Sequence, residues 1–174
     1  MASSQHSPSR APLVRRARLD EVDVLTDLSM RSKRSNGYDD AFMESCRGEL
    51  TVTAARMGEG EYWVAEADRV CGCVCLKAVD GGKGEIHAFF IEPDCQRCGI
   101  GRLLWSKVFQ RAEALGMVGL SLDADPAAVP FYRAMGFVVV GEVPSGSIEG
   151  RMLPRMEIEL DQTRADLRQR PPDA

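Results

Sequence analysis

Apolar and polar positions alternate along much of the chain, and the period changes in a regular order. Leu13–Leu19 (LVRRARL) reads as a first strand of mixed polarity. Val22, Leu25 and Leu28 recur at spacings of three, which predicts a helix that Asp20 would cap. Phe42, Met43 and Cys46 mark a second helix behind Asp39 or Asp40. Three strands follow: Tyr62–Ala67, Val70–Val79 and Gly84–Ile91, joined by a tight turn at Asp68–Arg69 and by the hairpin signal DGGK at 80–83. They read as an antiparallel meander.

A polar, Gly-containing turn over 93–101 then opens an amphipathic helix over 102–115. Leu104, Val108 and Leu115 lie on one side, and Leu103, Trp105, Phe109 and Ala112 widen the stripe. Gly116 closes the helix, and Val118–Ala124 is the next strand. A right-handed crossover makes that strand parallel to Gly84–Ile91. A short helix begins near Val129 or Pro130, where proline is tolerated, and ends at Gly136. Phe137–Val143 and Leu153–Leu160 are the last strands. The expected fold class is α/β, with a mixed, mostly antiparallel central sheet of about seven strands and helices on both faces. One domain spans 13–160, flanked by a floppy tail over 1–12 and a charged, polar tail over 161–174.

Composition narrows the possibilities. The 174 residues suit one domain with a real core. A net charge of -4, with 22 basic against 26 acidic side chains, gives no global attraction to nucleic acid or to an anionic membrane. No stretch approaches a membrane span, and the Ser- and Pro-rich start has no hydrophobic segment of a secretory signal. The six cysteines do not form a secreted disulfide framework, so a reducing cytoplasm is expected. Cys71, Cys73 and Cys75 alternate on one strand and would share a face as small buried hydrophobes. Cys95 and Cys98 form a lone C-x-x-C. With no second pair, and only His6 and His87 in the chain, no metal site is expected. Cys98, just before a helix start, is placed to be a reactive thiol.

The strand–turn–helix over 84–116 is the candidate chemical centre. A helix start leaves amides without partners, and these amides and the helix dipole favour an anion, typically a phosphate. Gly99 and Gly101 let such a group approach the backbone, Ile100 anchors the loop inward, and Arg97 and Arg102 add charge. The turn is not a P-loop, because Arg102 and Leu103 stand where Lys and Ser or Thr are required. It is not a dinucleotide fingerprint, because the third glycine is replaced by Leu104.

Gln96-Arg97-Cys98-Gly99-Ile100-Gly101 matches the Q/R-x-x-G-x-G/A signature of the GNAT (GCN5-related) N-acetyltransferases. Ala128–Phe137 (AVPFYRAMGF) resembles that family's second motif, A-x-x-F-Y-x-x-x-G-F. The resemblance covers about Val14 to Leu160 and extends to a small-molecule subgroup at 145–156. It implies that Gln96, Arg97, Cys98, Gly99, Ile100, Gly101 and Arg102 grip the pyrophosphate of acetyl-CoA. The pantetheine arm would pair with backbone near Phe89, Phe90 and Ile91, beside Phe131. Tyr132 would protonate the leaving thiolate, since a phenol holds its proton at neutral pH. His87 or Glu85, sharing a face two residues apart, would be the base or a relay. Lys33, Asn36, Tyr38 and Ser145 would line the acceptor. SKRSNGYDD departs from the subgroup's S-K-x-x-W-G-Y at Asn36, and Ala127 stands where an asparagine that contacts the cofactor is common.

The implied function is transfer of the acetyl group of acetyl-CoA to a primary amine of a small molecule, by direct attack in a ternary complex. The alternatives are a protein or peptide N-acetyltransferase and a non-catalytic acyl-CoA sensor. The edge left by the last two strands suits a homodimer.

Overall fold

The computed structural model describes residues 10–160. The expected terminal tails fall mostly outside the described residues. The strands are β1 (Leu13–Arg16), β2 (Glu61–Glu66), β3 (Val70–Val79), β4 (Lys83–Ile91), β5 (Gly119–Asp123), β6 (Val138–Pro144) and β7 (Met152–Glu159). The helices are α1 (Val22–Arg34), α2 (Asp40–Leu50), α3 (Ala54–Glu59), α4 (Ile100–Ala114) and α5 (Val129–Ala134). All seven strands form one sheet in the order β1-β2-β3-β4-β5-β7-β6. Among the described residues only the β4–β5 pairing is parallel, as expected for a crossover through α4.

The sheet separates two apolar layers. Ile100, Leu104, Val108 and Ala112 of α4 bury against Val74, Leu76, Ile86, Leu120 and Leu122, joined by Tyr132 and Phe137. On the other face Leu25 and Leu28 of α1 cover Tyr62, Val64, Cys73 and Cys75. The period of three along α1 therefore marks a real buried face. Leu115 departs from the expected stripe: α4 ends at Ala114, and Leu115 is an exposed cap residue.

Three local expectations are corrected. Asp20 does not cap α1. Glu21 does the work of ordering that corner, its carboxylate accepting the Arg18 amide at 2.7 Å and an ion pair from Arg15 at 2.6 Å. Cys71 does not share a face with Cys73 and Cys75. The β2–β3 register slips between Ala65 and Glu66, so Cys71 is an extra residue and turns into the α4 layer. The helix α3 was not anticipated; its Thr53 side chain caps it by accepting the Arg56 amide. Asp39, by contrast, caps α2 through the Phe42 amide, one of the two expected choices.

Candidate active site

The turn after β4 is built to expose amides. Arg97 takes φ +61° and Gly99 φ +83°, and Gly99 is the cap of α4. The first bond that closes the helix runs from the Leu103 amide to the Gly99 carbonyl at 3.0 Å. The amides of Ile100, Gly101 and Arg102 precede it and have no acceptor within the helix. Ile100 is 1% exposed and pins the turn, as its apolar side chain predicted. Arg97, Cys98 and Arg102 are exposed, and neither arginine forms an ion pair among the described residues. Gln96 Nε2 donates to Ser35 Oγ at 3.4 Å, tying the turn to the end of α1. The C-x-x-C is split: Cys95 is buried and Cys98 is exposed. Among the described residues, no group of three or more His, Cys, Asp or Glu side chains is placed to hold a metal ion.

Beside this turn the sheet opens. β4 and β5 pair only from Lys83–Gly119 to Glu85–Ser121; beyond Glu85 the two strands part. Against β3, the register of β4 slips between Cys73–Phe90 and Cys75–His87, and Ala88 takes φ +50° within the slip. Among the described residues, Ala88 and Arg97 are the two non-glycine residues with positive φ. Both lie on the lips of the opening, where such strained backbone is concentrated in functional sites. Phe89 packs edge-on against Phe131 at 5.4 Å and Tyr132 at 6.1 Å between ring centroids. Phe90 faces the other side, among α1 and α2. The Ile91 amide donates to Ser32 Oγ at 3.3 Å.

Tyr132 is buried on α5 at the back of the opening. Burial pushes its pKa above the usual phenol value, and the charge of Asp125 adds to the effect. It therefore holds its proton at any pH near neutrality.

On the α1–α2 face of β4 stand Glu85 and His87, with His87 Nε2 3.6 Å from Glu85 Oε1. Arg155 reaches the same carboxylate at 3.4 Å, Asp123 at 2.8 Å and Ser121 Oγ at 2.9 Å. His87 is 47% exposed. It lines a cavity of about 320 Å³ together with Ala88 and Phe90 of β4, Tyr62 and Cys75 of the sheet, and residues of the α2–α3 corner including Glu49 and Arg56. The cavity thus reaches from the surface corner to the irregular stretch of β4.

The predicted acceptor residues separate. Lys33 and Tyr38 converge on Asp125, whose carboxylate accepts from Lys33 Nζ at 2.6 Å, Tyr38 Oη at 3.0 Å and the Ala127 amide at 2.9 Å. Arg151 donates to Tyr38 Oη at 2.6 Å and stands 3.7 Å from Asp125. Burial works against the charge on Asp125, but the Lys33 and Ala127 hydrogen bonds prevail and hold its pKa below the usual carboxylate value. Tyr38 stacks on Phe42 at 4.0 Å, and the Arg151 guanidinium lies over both rings. Asn36 is exposed in the turn. The Ser145 hydroxyl accepts from the amides of Ser147 and Ile148, so it shapes the β6–β7 loop. The sequence reading assigned no contact to Asp125, Phe42 or Arg155, and Arg151 entered it only within the stretch over 145–156 that resembles the small-molecule subgroup.

Residues 23–137 match the model of the Acetyltransferase (GNAT) family. The chain belongs to that family. It is accordingly an enzyme that transfers an acetyl group with acetyl-CoA as donor, and the turn, the parted strands and Tyr132 fit that donor. The chain is 30% identical over 131 residues to the peptidyl-lysine N-acetyltransferase YjaB of Escherichia coli, covering 74% of this chain and 83% of that one. It is also 30% identical over 93 residues to the L-amino acid N-acyltransferase MnaT of Escherichia coli, which is 49% of this chain and 54% of that protein. The fold matches the PaiA N-acetyltransferase of Thermoplasma acidophilum, solved in complex with coenzyme A. That match has a TM-score of 0.71 at 19% identity, over 86% of this chain and 99% of that one. The YncA protein of Salmonella typhimurium, solved with acetyl-CoA, matches at a TM-score of 0.62 and 19% identity over 94% of this chain and 99% of that one. Among the described residues no helix is long and apolar enough to cross a membrane.

Proposed function

We propose that this GNAT acetyltransferase acts on a primary amine carried by a peptide, with a lysine side chain as the acceptor. The observation that carries this reading is the 30% identity to a peptidyl-lysine N-acetyltransferase across most of both chains. The cavity beside His87 supports it. At about 320 Å³ it stands at the small end of ligand pockets, which run from about 300 to 1,000 Å³, and suits one extended side chain.

The roles follow from the site. The amides of the 97–102 turn, with Arg97 and Arg102, hold the pyrophosphate. The edge of β4 from Phe89 to Ile91, which β5 leaves uncovered and whose Ile91 amide is held by Ser32, meets the acyl arm, with Phe131 behind it. Once bound, the donor supplies an activated acetyl thioester. The incoming ammonium must lose a proton before its nitrogen can attack. His87 takes that proton, with Glu85 beside it to steady the imidazolium. Tyr132, protonated and at the back of the opening, gives a proton to the departing thiolate.

A free amine of amino-acid size is a second reading, favoured by the same cavity volume and by the match to an L-amino acid N-acyltransferase. One experiment separates the two. The purified protein is given acetyl-CoA with lysine peptides, free amino acids and polyamines; thiol release is followed and products are read by mass spectrometry. Turnover with ε-amino groups of peptides and not with free amines supports the first reading. Turnover confined to a free amine replaces it with the second.

A further inference from the structure

The last turn of α1 bridges the parted strands. Ser32 accepts the amide of Ile91, the final residue of β4, at 3.3 Å. Its neighbour Lys33 donates at 2.6 Å to Asp125, two residues past the end of β5. Ser35, one turn on, meets Gln96 of the phosphate-binding turn at 3.4 Å. Both side chains of the ion pair are largely covered, 14% exposed for Lys33 and 11% for Asp125. Tyr38 and Arg151 buttress the carboxylate from the far side. Since β4 and β5 share no hydrogen bonds beyond Glu85, these contacts join the two lips where the backbone does not.

The geometry points to Lys33 and Asp125 as a latch across the β4–β5 opening, which closes its α1 side over the acyl arm of acetyl-CoA and sets how long the donor stays bound. The inference rests on the proposed placement of that arm in the opening. Lys33 and Asp125 are positioning residues here. They touch no reacting atom, and they hold the α1–α2 turn over the arm. Breaking the pair frees the α1–α2 turn to lift, which speeds release more than it slows entry. An asparagine at 125 keeps an oxygen for the Ala127 amide, so the short 3-10 turn over Pro126–Ala128 that leads into α5 keeps its cap.

The test is the rate of acetyl-CoA release, measured by stopped-flow chase on the whole protein. It compares wild type, Asp125→Asn, Lys33→Met and the double variant. Each single change is expected to speed release about tenfold with association nearly unchanged, and the double variant to release no faster than the faster single one, because both remove one latch. Unchanged release, or rates that multiply in the double variant, overturns the latch. If Asp125→Asn does not fold, Lys33→Met alone carries the same comparison. Arg97→Ala with Arg102→Ala is run alongside. Weaker binding in that variant, with release unaltered in the latch variants, sinks the latch alone. Binding unaffected by loss of both arginines overturns the placement of the donor, and the latch with it.

Discussion

Phe131 presses the edge of its ring against Gly101: a Cβ at that glycine would stand 2.9 Å from Cε2 and 3.0 Å from Cζ. The contact joins the two sequence motifs, since one residue opens α4 and the other belongs to α5. It also explains why a glycine is required there, although its dihedrals are ordinary for a helix. Gly101→Ala is therefore expected to push Phe131 or the turn aside and to raise KM for acetyl-CoA about tenfold, with kcat less affected. Phe131→Leu in the same chain should recover part of the loss. Steady-state rates against acetyl-CoA concentration, with calorimetric titration of coenzyme A beside them, check both.

Tyr132→Phe removes one oxygen and keeps the ring that packs on Phe89, Phe131 and Phe137. The melting temperature should stay close to that of wild type. The proposed acid role predicts that kcat falls by about 10² or more with little change in KM. Because the phenol pKa lies above its usual value, loss of its proton should not limit the wild-type rate anywhere between neutrality and mildly alkaline pH. A rate profile across that range tests it.

His87 and Glu85 separate by the size of their effects. As the base, His87→Gln should lower kcat/KM for the amine by about 10², while Glu85→Gln, acting through the histidine, should cost about tenfold. Equal and large losses in both would make the carboxylate the base. Arg155→Met frees Glu85 from its second partner and should leave the acetyl-CoA affinity unchanged.

Alkaline stability is a property of the buried thiols. Burial pushes the pKa of Cys73 up to about 12 and of Cys75 up to about 11. An unfolded thiol titrates near about 8.5. A raised folded pKa means the neutral form is favoured in the fold. The contribution is fully present below the unfolded value and is lost as pH rises through the folded one. Urea midpoints should fall steadily from about pH 9 upward, with Cys73 alone accounting for about 2 kcal/mol at about pH 10. Cys73→Ala should lower the midpoint at neutrality and flatten that decline. Tyr62, also raised by burial, adds to the loss at still higher pH.

Most of the fold, and the two motifs that carry the family resemblance, were legible because they are local. A strand, a glycine turn and a helix are consecutive in 83–114, and the second motif is consecutive in 128–137. Each announces itself by periodicity and by residue type. What escaped the sequence is long-range or irregular. One inserted residue in β3 sent Cys71 to the opposite layer from Cys73. The helix α3 has six residues and two nearby glycines, too few positions to set a period. Lys33 and Asp125 are 92 positions apart, so no spacing rule could pair them. Ser145 is an acceptor contact only on the subgroup resemblance, which carries nothing of the two loop amides that donate to its hydroxyl.

The most direct test of the account is a crystal structure of this chain with acetyl-CoA. The predicted result has the pyrophosphate within hydrogen-bond reach of the amides of the 97–102 turn, with the arm along Phe89–Ile91. The thioester would lie between Ala88 and Tyr132. A pyrophosphate bound away from that turn, or a thioester out of reach of Tyr132, would contradict it.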